Sequence, residues 1–290
     1  MGAAGKEKTM TADPGYARPE LLAEPDWLWQ HRDDSTVRVI DCAPLEAYRR
    51  AHIPGAVGLP VHFYIKDPTN DTYVMQPDQF KDLMERLGVT DDMTVVTYDD
   101  NNALVATRLW WVLNYYGHTN AKVLNGGWHR WLTEGRPITF HQTRPPRGSF
   151  TPRINPSMLC RLDDLMAKVQ AGDTNILDVR TDEEWLGTND RGNKRAGHVP
   201  GAKHLEWINF VTSDDRRVFK PAAELRAMLR EVGINPEQEV VTYCQGGIRA
   251  AHGAFVLYLL GAERVRMYDA SMREWANRDD TPLVLEPVQT

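Results

Sequence analysis

Cysteine is scarce in this sequence, and its spacing is not typical of a disulfide framework or a metal site. The 290 residues contain three cysteines, Cys42, Cys160 and Cys244, which lie far apart along the chain. Small disulfide-rich domains need more cysteines at closer spacing. Neither a CxxC pair nor an HExxH motif occurs, so the common signatures of zinc sites are missing. We therefore expect a reducing, cytoplasmic location and no bound metal.

Long apolar runs and clustered positive charge are also absent. No stretch approaches the roughly 20 apolar residues that a transmembrane helix requires, and the N-terminal segment has no apolar core typical of a secretory signal. The formal net charge is −6, whereas a general nucleic-acid surface needs clustered Lys and Arg to contact phosphates. We therefore expect neither a membrane nor a nucleic acid among the partners.

The chain contains one internal repeat of domain size. Residues 94–131 align with residues 239–275, and this alignment sets Asp99 opposite Cys244. The segments HIPGA and HVPGA form a second matching pair at a similar offset. A period of about 145 residues indicates a duplicated domain rather than a solenoid.

The repeat divides the chain into four predicted parts. We assign residues 1–18 to a disordered tail, 19–140 to a first domain, 141–156 to a linker and 157–290 to a second domain. The linker contains four prolines and little hydrophobic periodicity, as extended connecting segments do.

Each domain alternates short β-branched runs with amphipathic helical patterns. The runs VRVID, TVVTY and AKVL in the first domain have counterparts in NILDV, EVVTY and RVRMY in the second. PDQFKDLMERLGV and PAAELRAMLREVGI carry apolar residues at helical spacing and end near a glycine, which predicts helices with glycine C-caps. This alternation predicts an α/β fold in which a mainly parallel sheet is flanked by helices.

A cysteine follows a predicted buried strand directly in the segment VVTYCQGGIRAAHGAF. Ligands of open α/β sheets bind beyond the carboxyl ends of the strands, which is where Cys244 would lie. Gly246 and Gly247 allow positive φ, so successive N–H groups can point at one centre, and the next helix adds its positive end. Such a cradle stabilises an anion on sulfur and predicts a nucleophilic Cys244. The first domain offers Asp99 and no glycine there, so we predict that it is inactive.

The other two cysteines and two of the histidines are predicted to have structural rather than catalytic roles. Cys42, at a predicted strand end, is interpreted as a small buried hydrophobic residue, and Cys160, which belongs to no recognisable motif, as structural or incidental. His198 recurs in the predicted inactive domain, which favours a structural role. His252 lies on the helix after the Cys244 loop and is interpreted as a packing or exposed residue, whereas Trp207 is a candidate to line the cleft.

The length of the loop separates two chemistries. A cysteine-dependent phosphatase needs five residues between its cysteine and arginine to enclose a phosphate. Four residues separate Cys244 from Arg249 here. The tighter ring favours a single added sulfur atom, so a phosphatase is the lesser alternative.

With these motifs in place, the sequence resembles the tandem-domain rhodanese family, which contains thiosulfate and 3-mercaptopyruvate sulfurtransferases. The resemblance covers about residues 20–288 and depends on HIPGA and HVPGA, DVRTDEEW, the C-x-x-G-x-R loop, and GGWHRW and SMREW. It is strongest toward bacterial two-domain thiosulfate sulfurtransferases. The resemblance implies that Cys244 is the catalytic nucleophile and carries a persulfide, and that no cofactor is needed. It also implies a persulfide cradle formed by four residues, which are Gln245, Gly246, Gly247 and Ile248.

The resemblance also implies how a small anionic donor is recognised. Arg249 and Arg180 are the predicted substrate-binding residues, although Arg180 and Asp178 at the strand end also fit a structural ion pair. Many family members have an arginine where Glu184 stands here. The inserted loop of the second domain supplies further candidate cations, which are Arg191, Lys194 and Arg195.

Three functions remain open at this stage. The first is transfer of sulfane sulfur from thiosulfate to cyanide or to a thiol, such as one on a thioredoxin-like protein. The second uses 3-mercaptopyruvate as donor, although such enzymes usually carry a Gly-Ser-Gly-Val loop from which Gln245 and Ile248 depart. The third is a persulfide carrier that a partner protein loads.

Overall fold

The computed structural model describes residues 14–62 and 64–285. The first domain contains, in chain order, β1 (Leu22–Ala23), α1 (Pro25–His31), β2 (Val37–Asp41), α2 (Leu45–Arg50), β3 (Val57–Gly58), β4 (Lys66–Asp67), β5 (Asn70–Val74), α3 (Pro77–Arg86), β6 (Thr94–Tyr98), α4 (Leu104–Tyr115), β7 (Ala121–Leu124) and α5 (Gly127–Thr133). The second domain contains β8 (Leu159–Cys160), α6 (Leu162–Gln170), β9 (Ile176–Asp178), α7 (Asp182–Trp185), β10 (Lys203–His204), α8 (Ala222–Glu231), β11 (Val240–Tyr243), α9 (Ile248–Leu259), β12 (Val265–Tyr268) and α10 (Ser271–Trp275). Short 3-10 helices span Pro19–Leu21, Pro156–Met158 and Trp207–Phe210.

The two domains share one sheet topology. Their strand orders are β1-β7-β6-β2-β3 and β8-β12-β11-β9-β10, and every neighbouring pair in these two sheets is parallel. The predicted α/β fold with two parallel sheets is therefore confirmed. The register pairs Tyr243 with Asp178, so the residues that follow β11 emerge beside the end of β9. This edge is where parallel α/β sheets place their ligands.

The helices follow the predicted patterns and build the contact between the domains. α3 and α8 bury one face each and end before glycines with positive φ, Gly88 and Gly233. α4 and α9 are buried almost all round because they pack against each other between the two sheets. Trp110 and Phe255 meet edge to face across this contact, with ring centroids 4.9 Å apart. No helix among the described residues is long and apolar enough to span a membrane.

An antiparallel hairpin of β4 and β5 lies in the first domain, at the position equivalent to the antiparallel Val211–Phe219 bridge of the second domain. It reaches the second domain, where the Tyr73 hydroxyl donates to Glu274 Oε1 at 2.7 Å. Sequence periodicity did not indicate this hairpin, because β4 is two residues long and β5 is mostly polar and exposed. The hairpin brings first-domain side chains close to the Cys244 loop.

The predicted tail needs a correction at residues 14–18, and residues 141–155 of the predicted linker contain no helix or strand. Residues 1–13 lie outside the described part of the chain, but residues 14–18 pack on the second domain. Tyr16 is buried, and its hydroxyl donates to the Phe219 carbonyl at 2.9 Å. One aromatic residue in a stretch without periodicity gave no signal of this contact. Along the linker, Phe150 packs edge to face against Phe80 of the first domain.

Candidate active site

Cys244 is the first residue after β11 and lies at the start of a short turn into α9. Its side chain is buried, and the Gly247 N–H donates to its Sγ at 3.1 Å. Gly247 has a φ of +93°, a conformation that favours glycine, and it directly precedes α9. Gly246 is not among the described glycines with positive φ, so of the predicted cradle the structure shows the Gly247 amide at the sulfur, and the full cradle stays a prediction.

The N-terminal residues of α10 hold the backbone of this loop. The Cys244 N–H donates to Ser271 Oγ at 3.0 Å, and the Met272 N–H donates to the Cys244 carbonyl at 3.0 Å. The Arg273 N–H donates to the Gln245 carbonyl at 2.9 Å. The carbonyls of Cys244 and Gln245 are thereby satisfied, and the Ser271 hydroxyl lies 4.0 Å from the Cys244 sulfur. The SMREW motif indicated the family resemblance but not this supporting role.

The first domain shows what the equivalent loop binds. Four backbone N–H groups surround the Asp99 carboxylate at distances of 2.6 to 3.0 Å. These donors belong to Asn101, Ala103, Val105 and Ala106. The loop after β6 is thus an anion-binding cradle that is filled by its own aspartate. At the aligned position the second domain carries a sulfur atom.

Arg249 and Glu184 form a bidentate ion pair next to the loop. Arg249 Nη2 lies 2.8 Å from Glu184 Oε1, and Nη1 bonds the other carboxylate oxygen. Burial raises the pKa of Glu184, but the hydrogen bonds and charge of Arg249 outweigh this effect and hold it below its usual value. Burial lowers the pKa of Arg249, but the hydrogen bond to Glu184 and the charges of Cys244 and Glu184 outweigh this effect and hold the pKa above its usual value. Arg249 therefore stays charged, but one carboxylate already neutralises it.

Arg180 is more deeply engaged than the predicted substrate-binding role requires. Its Nη2 donates to Asp178 Oδ2 at 2.7 Å and to the Gly197 carbonyl at 3.0 Å, and the residue is 2% exposed. This geometry favours the alternative interpretation, in which Arg180 and Asp178 form an ion pair that fixes the strand end. Substrate contact by Arg180 stays a prediction.

The inserted loop closes one side of the site with amides rather than with charge. Gln245 and Asn193 exchange two side-chain hydrogen bonds of 3.0 Å, and Asn277 donates to Asn193 Oδ1 at 2.9 Å. Of the three candidate cations in this loop, Arg191 lies 3.9 Å from Glu184 Oε1 with a half-exposed side chain. Arg195 instead donates to the carbonyls of Thr281 and Trp275. Lys194 contributes its backbone N–H to Asn277.

The remaining cysteines and histidines occupy structural positions. Burial raises the pKa of the Cys42 thiol well above its usual value, and it raises that of Cys160 to about 12. His198 stacks on Trp185 with ring centroids 3.5 Å apart. Burial lowers the pKa of His252 to about 3, and its ring meets that of Trp207 edge to face in the domain contact. His198 and His252 therefore both pack against tryptophan side chains.

A cavity of about 620 Å³ lies at the corresponding edge of the first domain rather than at Cys244. Its lining includes Ala43 and Leu104, which align with Arg180 and Arg249 of the second domain. At these aligned positions the second domain carries two arginines that form ion pairs with Asp178 and Glu184. The size of a cavity therefore does not identify the position of the candidate nucleophile in this protein.

Asp178 and its first-domain counterpart Asp41 differ in charge behaviour because only one has an arginine beside it. Burial raises the pKa of Asp178, but Arg180 reverses the shift and leaves it below the usual value. Asp41 has Ala43 at the equivalent place, so burial raises its pKa to about 7 despite a 2.6 Å hydrogen bond from the Tyr98 hydroxyl. The two strand ends are therefore oppositely sensitive to pH.

We expect an Asp41→Asn variant to gain stability relative to wild type as the pH rises. The folded pKa of Asp41 exceeds its unfolded value, so its penalty is absent below about pH 4 and develops between about pH 4 and 7. Between pH 4 and pH 8 the free energy of unfolding should shift by about 2 kcal/mol or more in favour of the variant. Urea denaturation at both pH values measures this shift.

An Asp178→Asn variant provides the opposite control. The folded pKa of Asp178 lies below its unfolded value, so its contribution is present at neutral pH and is lost as the pH falls through the folded value. We expect this variant to be most destabilised, relative to wild type, at neutral pH. Equal pH dependence in the two variants would contradict the contrast between the strand ends.

Comparison with known proteins gives a consistent family. A family model described as Rhodanese-like domain matches the chain twice, over residues 24–134 and 161–278. The chain is 37% identical over 282 residues to the sulfur carrier protein TtuD of Thermus thermophilus, covering 93% of this chain and 98% of that protein. It is 32% identical over 287 residues to the thiosulfate sulfurtransferase of Corynebacterium glutamicum, covering 95% and 92% of the two chains.

Solved structures show the same architecture. The chain superposes on an anaerobic ergothioneine biosynthesis enzyme from Chlorobium limicola, in complex with trimethyl histidine, with a TM-score of 0.81 and 25% identity. The match covers 92% of this chain and 70% of that one.

Proposed function

Because the chain belongs to the rhodanese family, a family of sulfurtransferases, we propose that it moves sulfane sulfur from thiosulfate to a thiol or cyanide through Cys244. The Cys244 thiolate attacks the outer sulfur of thiosulfate. The S–S bond of the donor breaks, and its electron pair leaves with sulfite. The terminal sulfur stays on Cys244 as an anionic persulfide until an acceptor thiolate or cyanide attacks it. The bond to Cys244 then breaks, which restores the thiolate without a cofactor.

One observation carries this proposal, namely that Cys244 stands where the aligned loop of the first domain carries Asp99. The first loop surrounds a carboxylate with four N–H donors. The second loop presents a sulfur with the Gly247 N–H aimed at it. Fixed N–H groups stabilise negative charge where it develops, which both the thiolate and the persulfide require.

The names of the relatives support thiosulfate as the donor. Proteins from Corynebacterium glutamicum and Rattus norvegicus, each 32% identical to this chain, are both named thiosulfate sulfurtransferase. The ion pairs of Arg249 and Arg180 leave little uncompensated positive charge beside Cys244. We therefore propose that the half-exposed Arg191 makes the first contact with the donor, while Arg249 and the loop amides orient it.

Sulfur uptake tests the proposal directly. Reduced protein is incubated with thiosulfate or with 3-mercaptopyruvate, and intact-mass spectrometry follows the product. We expect wild type to gain the mass of one sulfur atom from thiosulfate, with one equivalent of sulfite released and the modification located on Cys244. A Cys42→Ala variant is a matched control that should load equally. Faster loading by 3-mercaptopyruvate would reassign the donor, and hydrolysis of an aryl phosphate would favour the phosphatase alternative.

A persulfide carrier is the second candidate, because the relative at 37% identity is named a sulfur carrier protein. A carrier would be loaded faster by a persulfidated protein than by thiosulfate, and it would pass sulfur slowly to cyanide. We propose an enzyme as the first candidate. Comparing the rate at which thiosulfate loads sulfur onto Cys244 with the rate of thiocyanate formation distinguishes the two. Turnover that is much slower than loading, together with rapid loading by a protein donor, would establish the carrier role.

A further inference from the structure

Three buried charged residues form a cluster behind the Cys244 loop, and two of them come from the first domain. Lys66 Nζ lies 3.1 Å from Asp269 Oδ2 and donates to the Asp269 carbonyl at 3.0 Å. Arg108 Nη1 donates to Asp269 Oδ1 at 2.7 Å. All three side chains are nearly or completely excluded from solvent. The second domain therefore supplies the carboxylate, and the first domain supplies both cations.

The cluster touches the loop at Gly247. A Cβ atom on Gly247 would lie 2.4 Å from Asp269 Oδ1 and 3.3 Å from Arg108 Nη1. The buried Asp269 carboxylate is thus a close neighbour of the residue whose N–H contacts the Cys244 sulfur. Without its cations this carboxylate would repel a thiolate or a persulfide, because charges interact strongly where solvent is excluded.

The cluster carries more positive than negative charge. Two cations oppose one carboxylate, so a formal charge of +1 remains in a buried place. Arg108 Nη2 is buried and has no hydrogen-bond partner among the described residues. Burying such a donor destabilises a protein by about 1–3 kcal/mol. The arrangement therefore contributes little to stability and produces a positive field behind the loop.

We propose that Lys66 and Arg108 are positioning residues for Cys244, so that the domain without a nucleophile supplies the field that keeps the sulfur of the other domain anionic. They hold the Asp269 carboxylate against Gly247, which fixes the amide that faces the sulfur. Their two positive charges together offset the carboxylate and the negative charge on Cys244. The inference rests on Cys244 as the nucleophile of the proposed function, but it does not depend on the donor.

The protonation of Lys66 adds a pH dependence to this arrangement. Burial lowers the pKa of Lys66 to about 8, although Asp269 and Cys244 raise it and Arg108 lowers it further. Above about pH 8 the cluster therefore loses its excess positive charge. We expect the anionic sulfur to be less well stabilised above that pH in wild type, and a variant without the amine should lack this change.

Alkylation of Cys244 by iodoacetamide tests the proposal, because it reports the reactive thiolate without any sulfur donor. Site-resolved mass spectrometry gives the rate at Cys244 from pH 5 to pH 10. We expect Lys66→Met to lower the rate at pH 7 by about tenfold and to move the midpoint of the profile to higher pH. Lys66→Arg keeps the charge and should restore most of the rate. Tyr73→Phe removes a different interdomain hydrogen bond from the same hairpin and should leave the profile unchanged.

The variants separate charge from packing. Equal profiles for Lys66→Met and wild type would overturn the proposal, as would a Tyr73→Phe profile shifted as far as that of Lys66→Met. Failure of Lys66→Arg to restore any rate, with the thermal stability of wild type, would show that shape matters rather than charge. If Lys66→Met is too unstable to study, Arg108→Lys compared with Arg108→Met provides the same test from α4. A normal alkylation response together with no sulfur uptake would reject the proposed function alone.

Discussion

A Cys244→Asp variant is expected to take up no sulfur from any donor and still to fold. Without the nucleophile, transfer should fall by about four orders of magnitude or more. The fold should persist because the aligned loop of the first domain already holds a buried aspartate through four N–H donors. We expect the free energy of unfolding to stay within about 2 kcal/mol of wild type. Intact-mass spectrometry after thiosulfate treatment and urea denaturation measure the two effects.

Cys244→Ser is the matched control for this prediction. Serine also removes the nucleophile, but it brings no anion to the N–H groups of the loop. We expect both variants to be inactive and the aspartate variant to be at least as stable as the serine variant. Unfolding of Cys244→Asp alone would show that the two loops differ in what they can bind. Sulfur uptake that survives in both variants would place the reactive thiol elsewhere.

The duplication made much of this site predictable. Aligning the two copies identified Cys244 against Asp99, and the glycines after Cys244 indicated the turn that the structure contains. The alignment also indicated the parallel sheets, because buried β-branched runs recur in the same order in both domains. These are local or repeated signals, and they survive in a single sequence.

Contacts between distant segments could not be predicted in this way. Arg249 and Glu184 are 65 positions apart, and no pattern in the sequence indicated that they pair. Lys66 meets Asp269 because the hairpin of β4 and β5 reaches the second domain, and no pattern in the sequence indicated that contact. The first domain lacks a nucleophile at Asp99 and is predicted to be an inactive copy. In the structure it provides part of the environment of Cys244.

A Gly247→Ala variant is expected to lose both stability and sulfur uptake. At a φ of +93° a side chain is strained by about 1–2 kcal/mol. The added Cβ would also lie 2.4 Å from Asp269 Oδ1 and 2.8 Å from the Asp269 carbonyl oxygen. Since Lys66 and Arg108 hold that carboxylate, the loop must move instead. We expect a total destabilisation of about 3 kcal/mol and about 100-fold slower loading, because the amide at the sulfur is displaced.

Gly172→Ala separates backbone strain from the clash. Gly172 also has a positive φ, +73°, but no atom lies within 4 Å of its Cβ position. We expect this variant to be destabilised by about 1 kcal/mol and to load sulfur at the wild-type rate. The comparison therefore assigns any further loss in Gly247→Ala to the contact with Asp269. If both variants lost the same stability and neither lost activity, the N–H of Gly247 would not be part of the cradle, and the negative charge on Cys244 would depend on the helix terminus and the cations instead.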